Sequence, residues 1–162
     1  MIVEFLAQHG IPFERVDHPP VYTCEEARLL VPPISGAETK NLFLRDKAGT
    51  RHFLVAVPAA KKISLQSLAQ VLEVSKLSFA SADRLSRYLK LEPGSVTLLG
   101  VINDPDGKVE VVIDQTLWSQ DALLCHPLVN TSTLSIAREG VFRFLELTGH
   151  SPKIVVVPEA LE

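Results

Sequence analysis

Thr39-Lys40-Asn41-Leu42-Phe43-Leu44-Arg45-Asp46, followed after Lys47-Ala48-Gly49-Thr50 by Arg51-His52-Phe53-Leu54-Val55-Ala56-Val57, is the stretch on which the fold turns. Two apolar runs of strand length, joined by a short polar connection that contains a glycine, predict a β-hairpin. Toward the N-terminus, Phe13 to Val16 alternates like a strand and ends at His18-Pro19-Pro20, because consecutive prolines remove two ladder donors. Ile2, Val3, Phe5 and Leu6 predict a short helix stopped at Gly10, and Thr23 with Glu26 predicts a capping box that starts a helix over Cys24 to Leu30, ahead of Pro32-Pro33. Toward the C-terminus, Ser64 and Ser81 each precede apolar residues at helical spacing and read as N-caps, with Leu77 to Ala80 a short strand between the two helices. Ser95 to Ile102 is rich in Val, Leu and Thr. With the turn chemistry of Asn103-Asp104-Pro105-Asp106-Gly107 and the run Val109 to Asp114, it predicts a second hairpin. Strands at Leu123 to Cys125, Thr131 to Ile136 and Ile154 to Val157 follow, with a helix over Glu139 to Leu147 closed by Gly149. Helices interleaved with strands without strict alternation predict an α/β class, mixed and α+β-like, built as one domain over residues 1–162 around one sheet.

Composition excludes several functions. With 162 residues, 46% of them hydrophobic, the chain is the size of one ordinary domain. Sixteen Lys plus Arg against nineteen Asp plus Glu give a formal charge of −3, so the surface as a whole cannot act as a polycation, and any nucleic-acid contact must be local. An aromatic content of 6% leaves few stacking platforms for single strands. Cys24 and Cys125 form no C-x-x-C pair, which argues against a disulfide framework or a four-ligand zinc site and fits a reducing cytoplasm. Glu4 stands where a signal peptide would carry Lys or Arg, and the apolar run around it is too short to span a bilayer. The expectation is a cytoplasmic protein with no membrane partner, no DNA partner, no cofactor and no metal.

The usual catalytic signatures are missing: no G-x-S-x-G elbow, phosphate loop, dinucleotide turn or H-E-x-x-H helix occurs. Cys125 beside His126 suggests a thiol–imidazole pair, but neighbours in an extended chain point to opposite faces, and Cys125 reads as a small core residue. Lys40, opening an apolar run, must be solvated at an edge, paired with an acid, or aimed into a cleft toward an anion. His126 before Pro127 reads either as a turn residue or as a pocket imidazole titrating near neutrality.

Four fragments taken in order add a further reading: Lys40 to Asp46, Pro93-Gly94-Ser95-Val96-Thr97, Gly100-Val101-Ile102-Asn103-Asp104-Pro105, and His126-Pro127-Leu128-Val129-Asn130-Thr131-Ser132-Thr133. Together they resemble the prolyl-tRNA synthetase editing-domain family, in particular its free-standing members that deacylate alanyl-tRNA of proline identity. The resemblance runs from His18-Pro19 to the final strand. It implies a single domain with a curved mixed sheet flanked by helices, and a cleft admitting the aminoacylated 3′ end of a mischarged tRNA, with prolyl-tRNA synthetase as the candidate protein partner. It carries Lys40, Gly100 and His126 over as catalytic positions, and Asn41, Asn103, Asn130 and Thr131 as substrate contacts. Four residues separate Gly100 from Pro105, more than in some relatives, which leaves the shape of that loop open.

The residue types suit that chemistry. An aminoacyl ester is already activated, so its hydrolysis needs a positioned water, a polarised carbonyl and an oriented alcohol rather than a covalent nucleophile. Lys40 would offset charge at the sugar end, a glycine at position 100 would admit the carbonyl without a Cβ in the way, and Leu42, Ile102 and Leu128 are candidate walls. Arg84, Arg87 and Lys90, three apart on one helix, and Lys61-Lys62 are candidate tRNA contacts, with a solvated charged face as the alternative. Cysteinyl- or seryl-tRNA as substrate, and a non-catalytic module that binds tRNA or a synthetase, are the competing readings.

Overall fold

A computed structural model describes residues 1–161. In chain order its elements are α1 (Ile2–Gln8), β1 (Glu14–Asp17), α2 (Cys24–Leu30), β2 (Thr39–Asp46), β3 (His52–Pro58), α3 (Leu65–Val71), β4 (Leu77–Phe79) and α4 (Ala82–Leu89). A 3₁₀ helix (Leu98–Asn103) follows, then β5 (Val109–Asp114), α5 (Gln115–Trp118), β6 (Ala122–Cys125), β7 (Ser132–Ala137), α6 (Arg138–Thr148) and β8 (Lys153–Val155). The hairpin forms as the sequence predicts: β2 and β3 pair antiparallel from Thr39 opposite Pro58 to Arg45 opposite His52. The Thr23, Ser64 and Ser81 side chains each accept a backbone N–H at the start of α2, α3 and α4, satisfying donors that a helix start leaves orphaned.

The α/β class and the mixed sheet hold, but a single sheet does not. Strands in the order β4-β2-β3-β5-β8 make a five-stranded sheet, parallel at β3–β5 and β5–β8, while β1-β7-β6 make a separate antiparallel sheet of three. The expected second hairpin is also absent. Leu98 to Val101 are buried without alternation in the 3₁₀ helix, started by Thr97 Oγ1, which accepts from Leu99 N at 3.3 Å, and β5 instead joins β3 in parallel. A short apolar run enclosed on every side loses the period that would separate strand from helix. The last strand is shorter and earlier than Ile154 to Val157, because Val157 N is drawn to the buried carboxylate of Asp114 at 2.9 Å.

Alternation along β3 builds two apolar layers. Leu54 and Ala56 join the larger cluster, which includes Phe43, Leu98, Leu99 and Phe144; Phe53, Val55 and Val57 join a second cluster with Leu44, Leu68 and Leu72. The two sheets meet where Ala37, just before β2, bridges Leu123 of β6, with Ala37 N to Ala122 O at 2.8 Å and Leu124 N to Ala37 O at 3.0 Å. That seam brings the start of β2 beside the end of β6.

Candidate active site

A cavity of about 250 Å³ opens at this seam. Thr39 and Asn41 of β2, Leu124, Cys125 and His126 at the end of β6, and Thr133 of β7 line one side; α2 and the Val31-Pro32-Pro33-Ile34 segment line the other, with Ala59 beyond the end of β3. Its volume falls below the roughly 300–1,000 Å³ typical of drug-sized ligand sites, so it suits a small ligand. No residue of α2 is buried, so this helix covers the cavity without being locked into either core.

The polar groups in the wall have defined states. Asn41 Oδ1 is buried and accepts no hydrogen bond from the protein, an uncommon situation for a native buried carboxamide. His126 Nδ1 faces Ser132 O at 3.2 Å, so Nδ1 carries the proton and Nε2 keeps its lone pair. Burial holds the His126 pKa below the ordinary imidazole value, against the opposing effect of the Ser132 carbonyl, and the nearby His18 adds to the lowering. Thr133 Oγ1 lies 2.8 Å from Nε2 of buried His18, whose Nδ1 faces Pro19 O at 2.8 Å. A carbonyl accepts only, so His18 donates from Nδ1; in the neutral ring Nε2 is then the acceptor, and Thr133 donates its hydroxyl proton to it. Arg28 and Glu38, 3.6 Å apart, are the charged residues lining the cavity. Burial pushes the Cys125 thiol up to about 12, which removes it as a nucleophile near neutral pH and agrees with its reading as a core residue. Among the described residues no three His, Cys, Asp or Glu side chains gather to hold a metal ion.

The structure brings Asn41 and His126 together and sets the other expected residues around them. Strand alternation turns Lys40 away from Asn41: its ammonium donates to Lys61 O and does not line the cavity. Gly100 is buried in the 3₁₀ helix, where a Cβ would stand 2.6 Å from Leu91 Cδ1, and Thr97, which caps the same helix, donates to His126 O at 2.7 Å. Asn103 donates to Leu89 O at 2.9 Å. Asn130 donates to Val21 O at 3.0 Å and Thr131 O accepts from His18 N at 3.0 Å, so both secure the segment that carries His18. None of these last four lines the cavity.

The expected apolar walls also differ. Leu42 packs on the opposite face of the sheet, and Ile102 and Leu128 pack against the larger core; Ala27, Val31, Pro32, Pro33, Ile34, Ala59 and Leu124 stand in their place. Among the candidate tRNA contacts, Lys61 is paired with buried Asp114 at 3.1 Å, Arg87 with Asp83 at 2.7 Å, and Arg84 binds Gly49 O and His52 Nε2. Lys62 and Lys90 are exposed. Sequence reasoning gave no role to Thr133 or His18, although both fall within the stretch that carries the resemblance. The Pro32-Pro33 pair after a helix with an exposed Leu29 was the available signal for the covering segment.

Comparison with known proteins adds to this geometry. Residues 18–144 match the aminoacyl-tRNA editing domain family. The chain is 36% identical over 154 residues to "Prolyl-tRNA editing protein ProX" of Acetoanaerobium sticklandii, covering 95% of this chain and 94% of that one. It is also 36% identical over 154 residues to "Prolyl-tRNA synthetase associated domain-containing protein 1" of Danio rerio, covering 94% of this chain and 83% of that one. The fold is shared with a solved structure described as hypothetical protein APE2540, with a TM-score of 0.70 at 20% identity over 95% of this chain and 97% of the other.

Proposed function

The chain belongs to the aminoacyl-tRNA editing domain family and is a deacylase; on that premise we propose that it acts in trans on tRNA of proline identity wrongly loaded with alanine, hydrolysing the ester to the terminal adenosine. The observation that carries this reading is the small cavity walled by Asn41 and His126, in which burial keeps the Cys125 thiol protonated and no serine elbow stands. Water then serves as the nucleophile. The Asn41 carboxamide, without a protein partner at Oδ1, accepts there from a donor group of the substrate and so orients it. His126, neutral and fixed by Ser132 O, shapes the far wall. Gly100 supports His126 through Thr97. Asn103, Asn130 and Thr131 act as tethers that keep the surrounding loops in place. Lys40 serves the sugar–phosphate end from the rim, for which its ammonium must leave Lys61 O and pass the end of the strand. Exposed Lys62 and Lys90 take phosphates of the tRNA, with Arg84, Arg87 and Lys61 holding the surface around them.

The need for such a step is physical. A proline-activating pocket cannot strongly reject alanine, because a few missing methylenes supply only about 1–3 kcal/mol of discrimination. A second site that admits alanine and turns away the proline ring would remove the error. Prolyl-tRNA synthetase, as the source of the error, is the candidate partner.

The test is a deacylation screen of proline tRNA charged with alanine, serine, cysteine or proline. The alanyl ester should be cleaved and the prolyl ester spared; preferential loss of the seryl or cysteinyl ester would reassign the substrate. Hydrolysis should fall about hundredfold in Asn41→Ala and drop clearly in Lys40→Ala, while Cys125→Ala retains it.

A further inference from the structure

We infer that the cavity reads the α-ammonium group of the bound amino acid, through the acceptor lone pairs of Thr133 Oγ1 and His126 Nε2, and that His18 is the positioning residue that makes Thr133 an acceptor. The inference rests on the proposed deacylase function and names the chemical feature its substrate must carry: an unblocked amine beside the ester.

Two imidazoles reach the site from different parts of the chain, and both are fixed in the same way. Each turns Nδ1 to a main-chain carbonyl, His18 to Pro19 O at 2.8 Å and His126 to Ser132 O at 3.2 Å, so each is a donor there and an acceptor at Nε2. The His18 acceptor is used internally: it takes the Thr133 hydroxyl proton at 2.8 Å. With that proton committed, Thr133, a residue of the cavity wall, keeps two lone pairs on Oγ1 as its remaining capacity. The His126 acceptor has no protein partner among the described residues. Burial opposes its protonation, which preserves the lone pair. A wall that presents acceptors suits a ligand made of donors, and the α-ammonium of an aminoacyl ester has three N–H donors and a positive charge. Charge-assisted hydrogen bonds are roughly twice as strong as neutral ones, so removing the charge should be felt directly in the rate.

The experiment compares proline tRNA carrying alanyl, lactyl and N-acetylalanyl esters, each enzymatic kcat/KM divided by the uncatalysed hydrolysis rate of the same ester. Lactyl replaces the ammonium with a neutral hydroxyl of similar size, and N-acetylation removes the charge and adds bulk. After that correction the alanyl ester should be favoured over the lactyl ester by about tenfold or more, and the N-acetylalanyl ester should be slower still, by about hundredfold. Thr133→Val keeps the shape and removes the acceptor. It should lower alanyl turnover by about tenfold while leaving lactyl turnover within about threefold, so that the preference collapses, and Thr133→Ser should retain the preference. His18→Phe should weaken the preference in the same direction without a new contact to substrate. A purely structural role at either position would slow both esters alike and leave the ratio unchanged. Equal corrected rates for alanyl and lactyl esters in the wild-type protein, or an unchanged ratio in Thr133→Val, overturns the inference while leaving the deacylase intact. The wild-type ester pair decides the matter even where a variant fails to fold. Absence of turnover on every ester overturns the proposed function and this inference with it.

Discussion

Asn41 is the residue at which stability and function separate. Its Oδ1 is buried without a partner, so the folded protein gains nothing from that oxygen and bears part of its desolvation cost. Asn41→Leu, close in volume, should therefore leave the urea unfolding free energy within about 0.5 kcal/mol of wild type or raise it, while alanyl-tRNA hydrolysis falls about hundredfold. A large loss of stability together with activity would mean that the carboxamide is structural. At this scale the sequence was legible in part. Asn41 and His126, singled out from the sequence, both line the cavity, and Cys125 is buried in the core as its residue type suggested. Thr133 was passed over, since a threonine in a strand is ordinary until a buried imidazole is found to hold its proton.

At the scale of elements, the 3₁₀ helix carries the consequence. Gly100 is buried, and a Cβ there would come within 2.6 Å of Leu91 Cδ1, itself inside the core. Gly100→Ala should destabilise the protein by about 1–2 kcal/mol through overpacking, measured by urea unfolding, and should impair hydrolysis by displacing Thr97 from His126 O. Unchanged stability in that variant would place the glycine's importance elsewhere. The hairpin, the caps of α2, α3 and α4, and the terminal helix were readable because each rests on local chemistry: alternation, an oxygen at an N-cap, a glycine past a helix end. The second hairpin was misread for an equally local reason. Leu98 to Val101 and Val109 to Asp114 are both apolar runs flanking turn residues, and nothing within either run says that β5 will pair in parallel with β3 rather than back on its neighbour. Alternation along β2 also decides an outcome that spacing alone did not: Asn41 faces the cavity and Lys40, one residue before it, faces away.

Across the whole molecule, two desolvated histidines, His52 and His126, contribute a pH dependence to stability. Burial lowers the pKa of His52, aided by the Arg84 guanidinium beside it, and burial likewise lowers that of His126. Each native pKa lies below the unfolded value of about 6.5, so as pH falls through that value the unfolded chain takes up protons that the native state does not. Stability should be fully present above about pH 7 and decline below about 6.5, by at most about 1.4 kcal/mol per pH unit for each histidine. Urea midpoints between pH 7.5 and pH 5.0 test this above the range where carboxylates titrate; a flat profile would contradict the lowered pKa values of His52 and His126. The sequence by itself determined the class of fold, the central hairpin, the absence of a nucleophile elbow and the resemblance to editing domains, because these reside in residue type and short-range spacing. Only the tertiary structure decided that there are two sheets, that their seam at Ala37 and Leu123 makes the cavity, and that His18 and Thr133 meet in its wall. Those depend on contacts between residues far apart in the chain, 115 positions for His18 and Thr133, whose pairing is fixed by how whole layers pack and not by any property of the segments taken singly.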